Sequence, residues 1–292
     1  MTFNPNADIG GGKTSKRGRN TGIAVGGGLG VIALVIISQL LGVDVTGLLG
    51  GGGGQPAAED SALEECQTGQ DANERVDCRM KGAAASLEDY WVDAAPTIGV
   101  AYASPQGFVL FTDAVATGCG NASSATGPFY CPPDQTLYVD TSFFDQLESQ
   151  FGASGGPLAE MYVVAHEWGH HIQNLAGVLE RAQDGQTGPT SNSVRTELQA
   201  DCFAGSWAAA ASQTTDERGV PFLQPITREQ YAQAIDAAAA VGDDRIQEAT
   251  QGQVSPHSFT HGSSEQRVRW FETGYQGGAQ SCDTFSIDGS QL

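Results

Sequence analysis

An α+β fold, mainly helical with a small β-sheet and preceded by one N-terminal transmembrane helix, is what this 292-residue sequence predicts on three observations. A stretch without charge lies near the start, five later segments read as helices, and three short runs read as strands. Residues 1–20 are a basic tail with Lys13, Lys16, Arg17 and Arg19. Residues 21–43 carry no charge, and 22–43 reach about 33 Å as a helix, enough for a bilayer core. Little positive charge follows. The expected placement is therefore a single-pass cell-membrane protein with its N terminus cytoplasmic and its large domain extracytoplasmic. A cleaved signal peptide is the alternative, but the apolar run is long for a signal core and no small-x-small site directly follows it.

Residues 44–62, with Gly50 to Gly54 at their centre, read as a glycine-rich flexible linker. Residues 63–292 are enough for one globular domain with a sizeable core. Its expected helices are 86–94, 157–175, 193–211, 227–241 and 264–274, and its expected strands are 99–102, 108–111 and 137–139. Pro157 suits a first helical turn, and Leu158, Met161, Tyr162, Ala165, Gly169 and Ile172 form a stripe at three- and four-residue steps. Thr227 with Gln230 has the capping-box pattern, and Ser263 or Ser264 can cap the last helix, with Gly274 as its stop. Thr141 or Ser142 can cap a short helix through Phe143, Phe144 and Leu147. The strand before it is a candidate edge for an extended peptide.

The helix at 157–175 contains His166-Glu167-Trp168-Gly169-His170. Residues four apart stack on one helical face, so both histidines can offer a ring nitrogen to one ion, while Glu167 can take a proton from a water held in the ion's open position. Chance placement of 5 histidines and 15 glutamates would give this pattern about 0.4% of the time. A catalytic zinc site takes a third protein ligand. Glu197, 27 residues beyond His170 in a second helical segment, is the candidate. Asp201 lies one turn further on the same face, where it can hydrogen-bond the far nitrogen of a metal-bound histidine and fix its tautomer. A solvated acidic helix face is the ordinary alternative for such a pair.

The two helices resemble the gluzincin arrangement, and the chain more narrowly resembles the bacterial neutral zinc metallopeptidase family. The carrying segments are Gly127-Pro128-Phe129-Tyr130-Cys131-Pro132, Leu137-Tyr138-Val139-Asp140, His166 to Gln173, Glu197 to Gly205, Gly242-Asp243-Asp244 and Phe259 to Arg267, in order over about residues 84 to 285. The resemblance implies a zinc-dependent peptidase with one Zn2+ per chain, ligands His166, His170 and Glu197, and general base Glu167. In gluzincins a late histidine often supports the oxyanion, which makes His261 a second catalytic candidate; a capping or buried structural histidine is the alternative. Arg267 can bind a substrate carboxylate or pair with Asp243 or Asp244, and His171 is expected to point away from the metal.

The six cysteines all lie beyond the apolar stretch, an even number that suits an oxidising compartment. Cys66 with Cys78 and Cys119 with Cys131 would close short loops and leave Cys202 with Cys282, one of fifteen possible pairings. With 34 acidic against 14 basic residues, four of the bases before residue 45, the domain lacks the basic surface that nucleic acid requires. The expected partners are a peptide or protein substrate and, through the N-terminal helix, a membrane. The reading is a membrane-anchored zinc peptidase. Its alternatives are a metal-dependent amidase acting on cell-wall cross-links and a non-catalytic zinc-bound scaffold; retention of Glu167 argues against the latter, because a structural site needs no general base.

Overall fold

The computed structural model describes residues 2–17, 60–182 and 184–292, and within them the fold is α+β. In chain order it runs β1 (Thr14–Arg17), β2 (Asp60–Ala62), α1 (Gly69–Glu74), α2 (Val76–Thr97), β3 (Gly107–Phe111), β4 (Ala114–Thr117), β5 (Gly120–Ser123), β6 (Phe129–Cys131) and β7 (Thr136–Asp140). It continues with α3 (Phe143–Ser149), α4 (Pro157–Leu175), α5 (Val178–Ala182), α6 (Asn192–Ala210), α7 (Arg228–Ala240), α8 (Asp243–Gln251) and α9 (Ser264–Gly277).

Helix α4 spans the expected residues, with Pro157 in its first turn, and nearly all of its stripe is buried against the core. Helix α7 starts at the expected capping box, where Thr227 accepts from the Gln230 amide and Gln230 accepts from that of Thr227. Ser263 and Gln266 form the same device before α9. Helix α9 does not stop at Gly274. A Cβ there would collide with the Cys202 carbonyl, and one on Gly205 would collide with the Phe271 carbonyl, so these glycines let α6 and α9 cross in contact. Helix α2 begins ten residues before its expected start. Its first turns bury Arg79 and Lys81 beside Cys78, Met80 and Ala83, which hides the apolar stripe from a periodicity reading. Arg79 is paired with Glu160 at 2.7 Å, and the Lys81 Nζ donates to the carbonyls of Leu63 and Cys66.

The main sheet has the order β2-β1-β3-β7-β6, parallel where β3 meets β1 and β7, and antiparallel at both outer pairs; β4 and β5 form a separate hairpin. Strands were expected at two of the observed positions, β3 and β7. Residues 99–102 are not a strand: the Ile98, Gly99 and Val100 amides close the end of α2 on the carbonyls of Ala95 and Pro96. Strand β7 is bonded on both edges, so it cannot take up an extended peptide as expected. Helix α3 forms without a side-chain cap from Ser142, whose amide is instead taken by Asp140 at 2.8 Å.

The expected membrane placement is corrected. No helix among the described residues is long and apolar enough to cross a membrane, and the expected span at 21–43 lies outside them, as does most of the 44–62 linker. Residues 2–17 also belong to the body of the domain. Phe3 is fully buried against Gly82, the Asp8 amide donates to Asp216, and β1 is an interior strand between β2 and β3. A single crossing between residues 17 and 60 would put the paired strands β1 and β2 on opposite sides of a bilayer, so a cytoplasmic tail with an extracytoplasmic domain is inconsistent with the fold. The three disulfides pair as expected: Cys66 with Cys78, Cys119 with Cys131, and Cys202 with Cys282.

Candidate active site

Gly169 decides how closely the two central helices approach. A Cβ there would stand 3.0 Å from the Ala200 Cα, so the glycine lets α4 lie against α6 and brings Glu197 opposite the two histidines of α4. The His166 Nε2 is 3.1 Å from one Glu197 carboxylate oxygen and the His170 Nε2 is 3.6 Å from the other. One potential ligand atom from each of the three residues lies within 4.8 Å of the others.

The remaining nitrogen of each ring is occupied. The His166 Nδ1 donates to Asp201 Oδ1 at 2.9 Å, and the His170 Nδ1 donates to Gln173 Oε1 at 2.8 Å. With a proton held at Nδ1, each ring turns its Nε2 toward Glu197, and that nitrogen gives a lone pair to a cation once its own proton has left. Burial disfavours charge at His166, but Asp201 and Glu197 outweigh it and lift its pKa to about 10. Glu197 is half-buried, which disfavours its charge, yet His170, His166 and His261 hold it far below the ordinary carboxylate range. The shared point therefore favours positive charge, and two imidazole nitrogens with one carboxylate are a donor set that suits zinc. Among the described residues the other such cluster is Cys66, Asp77 and Cys78, whose sulfurs are joined in a disulfide and cannot act as thiolate ligands.

Asp201 is fully buried and does more than orient one ring. Its Oδ1 accepts from the Tyr162 hydroxyl at 2.5 Å, from His166 and from the Arg267 Nη2 at 3.0 Å, while Oδ2 accepts from the Arg267 Nε at 2.8 Å. Arg267, only 3% exposed, is thereby committed to Asp201 and to the Val241 carbonyl, not to Asp243 or Asp244 and not to a substrate. Asp244 instead holds the Ser264 amide and hydroxyl at the start of α9. Asp243 clasps the turn before that helix. Its Oδ2 accepts from the amides of Thr260, His261 and Gly262 at 2.7, 2.7 and 3.0 Å, and its Oδ1 lies 3.1 Å from the His261 Nδ1. Gly262 takes φ +91°, a conformation that glycine adopts freely and that the turn requires. Burial disfavours the charged form of His261, but Asp243 and Glu197 outweigh it and raise its pKa.

Glu167 is 8% exposed, and its carboxylate has no partner among the described residues. His171 points away from the other two histidines. Its Nε2 donates to the Ala103 carbonyl at 2.7 Å and its Nδ1 accepts from the Tyr130 hydroxyl at 3.0 Å, which pins α4 to β6 and to the coil before β3; burial lowers its pKa and keeps it neutral. The structure thus brings His166, His170 and Glu197 together, sets Asp201 on His166, and puts His261 near enough to Glu197 for their charges to interact; Glu167 follows His166 on the same helix. Sequence reasoning missed the contributions of Gln173 and Tyr162, although each lies three or four residues from a histidine that faces Glu197 on the same helix. Asp243, read from the sequence as part of a family segment and as a partner for Arg267, instead holds the His261 turn.

Residues 4–285 match the model of a family described as "Putative neutral zinc metallopeptidase". An uncharacterized protein of Mycobacterium tuberculosis is 51% identical over 257 residues, which are 85% of each chain, and an uncharacterized protein of Mycobacterium bovis matches to the same extent. The uncharacterized protein YpfJ of Escherichia coli is 38% identical over 265 residues, 89% of this chain and 86% of the relative. No solved structure matches.

Proposed function

Because the chain belongs to the neutral zinc metallopeptidase family, we propose that it hydrolyses peptide bonds with one zinc ion held by His166, His170 and Glu197. The observation that carries this reading is the convergence of two histidine Nε2 atoms on the Glu197 carboxylate, with both Nδ1 protons already bound and the unpartnered Glu167 next to His166 in the chain. A zinc ion held by these three residues would supply Lewis acidity to the scissile carbonyl and to the attacking water. The Glu167 carboxylate takes that water's proton and returns it to the leaving amine nitrogen. Asp243 accepts the His261 Nδ1 proton and favours the doubly protonated ring, whose Nε2 proton is then donated to the negative charge developing on the carbonyl oxygen. Asp201 keeps the His166 ring in the productive tautomer, and Arg267 balances the charge of Asp201.

The test is digestion of a mixed peptide library followed by mass spectrometry. New termini should form with the full chain, disappear after zinc is chelated, and return when zinc is restored. Cleavage indifferent to chelation would contradict the reading. His261→Leu should lower turnover by about 10²- to 10³-fold with zinc content unchanged, as expected for loss of one oxyanion donor. Unchanged turnover in that variant would assign His261 to the structural role of holding its turn.

A further inference from the structure

A chain of amides runs from His170 to the C-terminal segment, and the catalytic steps above do not use it. Gln173 is fully buried; its Oε1 accepts from the His170 Nδ1, and its Nε2 donates to the Thr196 carbonyl at 2.7 Å and to Gln199 Oε1 at 3.1 Å. The Gln199 Nε2 donates in turn to the Cys282 carbonyl at 2.8 Å. The direction of this chain is not arbitrary. A carbonyl oxygen only accepts, so the end of Gln199 facing Cys282 is its NH2 group and the other end is oxygen. The end of Gln173 facing that oxygen and the Thr196 carbonyl must also be NH2, which turns Oε1 toward His170 and requires the imidazole proton to sit at Nδ1. Two backbone carbonyls thus fix two amides and one tautomer.

The far carbonyl is itself fastened. Cys282 is bonded to Cys202 on α6, the Thr284 hydroxyl donates to the Arg195 carbonyl at 2.7 Å, and the Arg195 Nη1 donates to the carbonyls of Thr284 and Ile287.

We propose that Gln173 and Gln199 are positioning residues for the zinc ligand His170, and that they tie the orientation of its ring to the disulfide-fastened C-terminal segment. The inference rests on the reading of His170 as a ligand. Without the Gln173 acceptor, the ring loses the contact that selects its tautomer, and its Nε2 is no longer preset for the metal. Without Gln199, the Thr196 carbonyl still holds Gln173, so the effect is smaller but of the same sign.

The experiment uses the full chain. The zinc dissociation constant is measured by competition with a chromogenic chelator, and the His170 Nδ1 proton is followed by NMR in the zinc-loaded protein; the melting temperature of each metal-free variant is recorded alongside. Gln173→Leu should weaken zinc binding by about 10- to 100-fold and expose the Nδ1 proton to solvent exchange, while Gln199→Leu and the paired Cys202→Ser/Cys282→Ser change should weaken it by about tenfold or less. Gln173→Glu keeps an acceptor for Nδ1 and, with its buried carboxyl protonated, a donor for the Thr196 carbonyl, so it should bind zinc more tightly than Gln173→Leu, which a purely packing role for Gln173 does not predict. Unaltered affinity in both leucine variants would overturn the relay and leave the zinc reading standing. A wild-type chain that binds no zinc would overturn both.

Discussion

Glu167→Gln is expected to lower turnover by about 10²- to 10⁴-fold and to leave zinc content unchanged. Glutamine matches the shape of glutamate but cannot take up a proton. Glu167 makes no hydrogen bond or ion pair with another described residue, so its replacement leaves no buried charge unpaired. His166, His170 and Glu197 keep their own partners in the variant. The loss should therefore appear in kcat rather than in metal occupancy or melting temperature. A variant with full zinc and wild-type turnover would show that another group accepts the proton. One with neither zinc nor activity would move Glu167 into the coordination set.

Asp201→Ala carries the largest expected effect on stability, about 3–5 kcal/mol, because it leaves the Arg267 guanidinium buried without its counter-charge. For a domain of this size that corresponds to a fall in melting temperature of about 2–4 °C per kcal/mol. The Tyr162 hydroxyl and the His166 Nδ1 lose their acceptor in the same step, so the remaining folded protein should bind zinc about 10- to 100-fold more weakly. Combining Asp201→Ala with Arg267→Met removes both charges and should recover part of the stability without recovering zinc affinity. If Asp201→Ala melted within a degree of the wild type, the buried pair would not have the weight assigned to it.

These two experiments address residues whose visibility in the sequence differed. His166, Glu167 and His170 could be read directly, because a helix turns four-residue spacing into one face, and Glu197 with Asp201 followed from the same rule on a second helix. Arg267 was harder to place. Its partner lies 66 residues away on another helix, and two nearer aspartates, Asp243 and Asp244, offered the more obvious pairing. Gly274 resembled a helix stop because a stop and a close helix crossing both select glycine, and only the neighbouring Cys202 carbonyl distinguishes them. The N-terminal segment misled for a different reason. The Lys16 and Arg17 that suggested a cytoplasmic flank lie in strand β1, where Lys16 pairs with Asp77 at 3.1 Å and the Arg17 guanidinium lies 6.0 Å from the centre of the Tyr138 ring. Basic residues in a short strand and before a membrane span look alike until the strand partner is known. Strand β6 went unread because three residues beside a disulfide carry too little alternation to register.

Whether His166, His170 and Glu197 hold a zinc ion is decided by elemental analysis of metal in the full chain, in Glu197→Ala, and in His257→Ala, a substitution at an exposed histidine in the turn Pro256–Ser258. One zinc per wild-type chain, lost in Glu197→Ala and kept in His257→Ala, is the predicted result. Zinc retained in Glu197→Ala would place the third ligand elsewhere, and a wild-type chain without zinc would contradict the account.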